Sequence, residues 1–168
     1  MIVVIIKRAK SELQNTVELL GKVKRELKKN DIAKEICSEY GFDVDIIDGI
    51  PFEFVDDLEA SAKTVDSAIQ LNSNLVDEDF ETIMRYSIHE LVHSLQHMKT
   101  DEQEFSEDDG EYLDRGDEIE AFQFQIKFEN EARGPDAAEE YVEDLIEYHE
   151  VPEHKEESKK NQLLEKTV

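Results

Sequence analysis

The period of the hydrophobic positions changes several times along this chain, and each change predicts an element. Met1 to Ile6 is an unbroken apolar, β-branched run of strand length, closed by Lys7, Arg8 and Lys10, and predicts a buried strand. From Ser11, read as an N-cap, Leu13, Val17, Leu20, Val23 and Leu27 recur at three- and four-residue steps, the stripe of an amphipathic helix. A short helix is expected from Asp31 to Tyr40, stopped by Gly41. Phe42, Val44 and Ile46 then alternate with acids, Asp48-Gly49 offers a turn, and Ile50, Phe52 and Phe54 alternate again, as in an antiparallel hairpin. Residues 65–75 form a further alternating segment, with Ile69 and Leu71 on one face of a strand.

The remainder reads as helical. Asp77 or Asp79 caps a helix running to about Met98, with Phe80, Met84, Ile88, Leu91, Leu95 and Met98 as its core stripe. Another begins near Asp117, carries Ile119, Phe122, Phe124, Ile126 and Phe128, and ends at Gly134-Pro135; a last one spans about Asp136 to Tyr148. From Val151 the chain is charged, with few apolar residues before Leu163-Leu164, and a mobile tail is expected over 151–168. Residues 1–150 are thus expected to form a single α+β domain, a small, mostly antiparallel sheet packed on the 80–98 helix and the one that follows it.

Charge narrows the function classes. Asp and Glu number 43 against 19 Lys and Arg, for a net charge of −24. Such a field repels phosphate backbones, so nucleic acid is not an expected partner. Residues 101–120 hold eleven acids against Arg115 alone, and read as a solvated connection. A lone cysteine, Cys37, has no internal disulfide partner, the first six residues are too short for a signal peptide, and no apolar run reaches membrane-spanning length. These features point to a soluble, cytoplasmic protein without a membrane partner.

The chemistry-bearing segment is His89-Glu90-Leu91-Val92-His93, inside the 80–98 helix. Residues i and i+4 project from one side of a helix about one turn apart, so His89 and His93 can aim two imidazoles at one zinc ion. Glu90 projects a little further round, out of the ligand set but within reach of a zinc-bound water, as a general base requires. His97 extends the same face, but eight residues of helix rise about 12 Å, too far for a zinc site with bonds of roughly 2.1 Å. A third ligand must come from elsewhere. Glu118 and Glu120 are the candidates, two residues and so about 200° apart on one helix, which lets only one face the metal; Asp114 and Asp117 are the next choices. Tyr86, Tyr112, Tyr148 and His149 are available to steady a developing oxyanion.

These pieces resemble the gluzincin clan of zinc metallopeptidases, in scale the single-domain minigluzincins, and also the ImmA/IrrE-like metallopeptidases. The corresponding segments are Ile69-Gln70-Leu71-Asn72, His89 to His93, and Glu120-Ala121-Phe122-Gln123-Phe124. The resemblance implies a zincin-like fold, a zinc cofactor held by His89, His93 and Glu120, and hydrolysis of a protein or peptide substrate with Glu90 as base. It also implies that the 65–75 strand is the sheet edge above the cleft and pairs with an extended substrate, which makes Ile69 and Leu71 substrate-binding residues. Val92 stands where a small residue often precedes the second histidine, and the acidic insert is long; both weaken any inference of repressor cleavage. The alternatives are a zinc-containing regulatory or binding protein, and a latent precursor whose basic N-terminus or tail lies in the cleft.

Overall fold

The computed structural model describes residues 2–100 and 111–168; the expected solvated loop over 101–110 lies outside the described residues. The elements are α1 (Ile2–Lys29), α2 (Asp31–Glu39), the single turn α3 (Ile46–Gly49), β1 (Phe52–Val55), β2 (Ala62–Val65), β3 (Ala68–Asn72), α4 (Phe80–Lys99), α5 (Gly116–Arg133), α6 (Pro135–Tyr148) and α7 (Glu153–Leu163). The class is α+β, largely helical, with one three-stranded sheet.

Several boundaries fall where the sequence placed them. Asp79 caps α4, its carboxylate accepting from Thr82 N at 2.8 Å. Tyr40 caps α2, and Gly41 follows at φ 75°, a conformation that favours glycine. Gly134 (φ 95°) separates α5 from α6, where Pro135 takes the first helical position.

Four expectations are corrected. Ile2 to Ile6 are helical, continuous with the helix expected from Ser11. A short apolar run has no period of its own, and no Gly or Pro separates it from the stripe that follows. Only the later part of that stripe is core: Val23 and Leu27 are buried, whereas Leu13 and Val17 are 66% and 61% exposed. Second, the 42–54 hairpin is absent, since Ile46–Gly49 is a helical turn and β1 pairs in parallel with β3. Third, the sheet is mixed, in the order β1-β3-β2, because β2 pairs antiparallel with β3 through the two-residue turn Asp66-Ser67. Both turn residues have positive φ (47° and 66°), which matches the twist a tight hairpin needs. Fourth, the segment expected as a tail is structured, with α7 packed on α5 and α6 and Leu163 completely buried.

Two hydrophobic clusters meet at α5. Ala121, Phe124 and Phe128 join the cluster built by α1, α2, the sheet and α4. Phe122 and Ile126 join Leu113, Val142, Leu145 and Leu163 in the other. Burial on two faces fixes α5 firmly between α4 and the C-terminal helices, so its first turn becomes a rigid platform beside α4.

Candidate metal centre

α4 is buried from Ser87 to Gln96, polar residues included. A buried polar side chain needs partners, and those of His89, Glu90 and His93 identify the site. His93 Nε2 lies 3.1 Å from His89 Nε2 and 3.2 Å from Glu118 Oε2, and His89 Nε2 lies 3.4 Å from the same carboxylate oxygen. Ligands at the corners of a tetrahedron with bonds of about 2.0–2.2 Å are roughly 3.3–3.6 Å apart, close to this triangle. Two imidazole nitrogens and a carboxylate oxygen, all buried and converging, form a group that can hold a metal ion.

The structure therefore brings together His89 and His93, as expected, but places Glu118 with them where Glu120 was expected. Glu120 lies on the other side of α5. Its Oε2 accepts from Gln96 Nε2 at 3.1 Å and from the Tyr40 hydroxyl. Gln96 in turn accepts at Oε1 from the Nδ1–H of His93, at 2.8 Å. That bond fixes which His93 nitrogen carries hydrogen and leaves Nε2 aimed at Glu118, the role an outer partner plays for a ligating histidine. Glu120 thus reaches the group through Gln96 and does not join it. His89 is oriented differently: its Nδ1 is buried without a partner among the described residues, and its ring stands edge-on to Phe122, with centroids 4.6 Å apart.

Electrostatics suit a cation. Burial alone would push His93 down and Glu118 up, but their contact outweighs it. The His93 pKa is raised to about 9, and the two imidazoles hold the Glu118 carboxyl well below the usual range.

Glu90, 6% exposed, is held by a residue the sequence reading overlooked. The Thr64 hydroxyl, on β2, lies 2.7 Å from Glu90 Oε2. Ser94 donates to Ser67 O at 2.6 Å and ties the β2–β3 turn to the same helix. Across the centre, Tyr112 stacks on His149 with centroids 5.0 Å apart and an interplanar angle of 17°. Burial, then the charge and hydrogen bond of Glu118, push the Tyr112 phenol up, so it keeps its proton. Burial lowers the His149 pKa. Lys159 of α7 fixes the short turn bearing Tyr112, donating to Leu113 O at 2.7 Å and Asp114 Oδ1 at 3.0 Å. Asp114 is thereby engaged with Lys159 and Asp117 with Arg115; neither belongs to the metal group, and nor does His97.

The centre opens on a cleft of about 760 Å³ that includes Ala62, Tyr86, His89, Glu90, Phe122 and Tyr148, and on a second of about 520 Å³ on its Lys63 and Thr64 side. Ile69 and Leu71 are not in either. They are completely buried, and β3 lies between β1 and β2 with both edges paired. The strand at the sheet edge beside the cleft is β2 instead. Among the described residues no helix is long and apolar enough to cross a membrane. Comparison of the chain with protein-family models, curated proteins and solved structures finds no match.

Proposed function

We propose that this protein is a zinc-dependent peptidase, with His89, His93 and Glu118 as ligands and Glu90 as general base. The observation that carries the reading is the converging triad with a buried carboxylate beside it, set in an open cleft under an edge strand. Two histidines and a carboxylate also serve iron-dependent oxygenases. Glu90 favours hydrolysis, because such a base has proton work to do when water is the nucleophile. The resemblance of the His89–His93 segment to gluzincins points the same way.

Held by His89, His93 and Glu118, zinc would supply a Lewis acid and would lower the pKa of a bound water to about 7. Glu90 takes the proton of the attacking water at Oε1, the oxygen not engaged by Thr64, and delivers it to the leaving amine. Tyr112, protonated and next to the centre, donates to the oxygen that gains charge. The substrate backbone extends along the free edge of β2, which takes the place earlier expected of the 65–75 strand.

Metal analysis and a proteolysis assay test this together. About one zinc per chain, with cleavage of a casein-type substrate that is lost on chelation and restored by zinc, is the expected result. Iron in place of zinc, or a zinc-loaded protein that cleaves nothing, would overturn it. A finer test addresses Thr64. Thr64→Val should keep the zinc and lower kcat about ten- to a hundredfold with KM little changed, since a hydrogen bond to a charged group is worth about 1.5–3 kcal/mol; steady-state kinetics beside metal analysis check this.

A further inference from the structure

Arg85 lies one helical turn before His89 and has no part in the proposed chemistry. Its side chain is only 14% exposed, yet its sole ion pair among the described residues is a long one, Nη1 to Glu129 Oε2 at 3.4 Å. Nε is buried with no partner among the described residues. The guanidinium carbon lies over two aromatic rings, 5.1 Å from the Tyr86 centroid and 4.9 Å from that of Tyr141. A largely buried guanidinium ordinarily fills its five donors. Glu129 does not fill them, being shared with Arg133 at 3.3 Å.

Arg85 forms part of the wall of a separate cavity of about 330 Å³, with Ser61, Asn72, Asn74, Thr82 and Tyr86. Ser61, Asn72 and Tyr86 also line the main cleft, so the two spaces adjoin. Glu78, exposed, is the other charged residue of that cavity. Followed backwards along α4, the spaces come in order: the metal side at His97 and His93, the aromatic cleft at Glu90, His89 and Tyr86, then the Arg85 cavity at Tyr86, Arg85 and Thr82; β2 runs the same way as α4, Thr64 meeting Glu90 and Ser67 meeting Ser94. A peptide antiparallel to β2 runs in this direction from its N-terminal to its C-terminal end. Four residues of helix separate Arg85 from His89, a rise of about 6 Å, or roughly two residues of extended peptide at about 3.3 Å each.

We infer that the Arg85 cavity receives the free C-terminal carboxylate of a peptide lying antiparallel along β2, which makes the protein a peptidase that releases short C-terminal fragments, dipeptides foremost. The inference rests on the peptidase reading and adds the substrate class. A guanidinium fork whose ion pair with Glu129 is long and shared matches a carboxylate in two-point contact, and a peptide that continued past the cavity would place a neutral amide there. The aromatic cleft between metal and Arg85, with Tyr86, Phe122 and Leu145, suits an apolar side chain on the released fragment.

The test uses the zinc-loaded wild-type protein and the dipeptide Ala-Phe as free acid and as C-terminal amide, with binding measured by calorimetry. The acid should bind at least about tenfold tighter than the amide, a difference of about 1.4 kcal/mol. Arg85→Gln should erase that preference while leaving zinc content unchanged. In parallel, free-acid hexapeptides should lose a C-terminal dipeptide and their amides should not. Equal binding of acid and amide, or binding of neither, overturns the inference, and so does equal cleavage of acid and amide peptides. If instead no peptide is cleaved and no zinc is bound, the peptidase reading itself has failed.

Discussion

Glu118→Ala should abolish stable metal binding, whereas Glu120→Ala should leave a metal site of reduced affinity. Glu118 supplies one of three converging atoms and the only negative charge among them. Its removal leaves two imidazoles 3.1 Å apart at Nε2, with no third donor among the described residues grouped with them. Glu120 holds Gln96, which holds His93, so its loss frees the ring without removing a donor. Loss of such an outer partner lowers metal affinity about 10–100-fold, and the Glu118 effect should exceed this. Glu118→Gln, close in shape, separates charge from packing. Zinc titration against a competing chelator ranks all three; a Glu118→Ala protein that binds zinc like the wild type would refute the ligand assignment.

Glu90→Gln is the second large effect. The amide keeps the shape and can still meet the Thr64 hydroxyl, but it cannot accept a proton. Zinc content should stay at the wild-type level while peptide cleavage falls by about 10²–10⁴-fold, the usual contribution of a positioned general base. Substrate binding should persist. If the protein acts instead by engaging a partner, its biological action will survive this change undiminished; single-turnover cleavage measured alongside zinc content distinguishes the two.

The histidine pair was legible in the sequence because its geometry is local: i and i+4 on one helix fix a distance whatever surrounds it. The third ligand is not a local property. Glu118 and Glu120 are equally spaced from everything nearby, and the choice depends on how α5 is rotated against α4. A clue did exist in the pattern Glu118, Phe122, Gln125, Glu129, which shares one face and is buried throughout. That face runs antiparallel to Arg85, His89 and His93, with Arg85 meeting Glu129 at one end and His93 meeting Glu118 at the other. Pairing opposite charges along both helices would have set the rotation.

Helix ends were legible where capping residues stand at them, as with Asp79 and the Gly134-Pro135 step. The strands were harder. β2 is four residues long and contains Lys63 and Thr64, too short to show a period, and the turn after it is Asp-Ser with no glycine. The C-terminal helix was hidden for another reason. α7 is nearly polar all round and docks through Leu163 and the buried Lys159, whose ammonium finds acceptors at Leu113 O and Asp114 Oδ1 that only the tertiary fold supplies.

The open edge of β2 has a cost of its own. Among the described residues its outer amides and carbonyls pair with no strand, and the row proposed to receive a substrate can equally receive the edge of another copy, the first step of sheet-like aggregation. The strand offers only four residues, and one of them is the exposed Lys63, whose charge disfavours stacking of like edges. Lengthening this strand or making Lys63 apolar would therefore favour self-association over turnover.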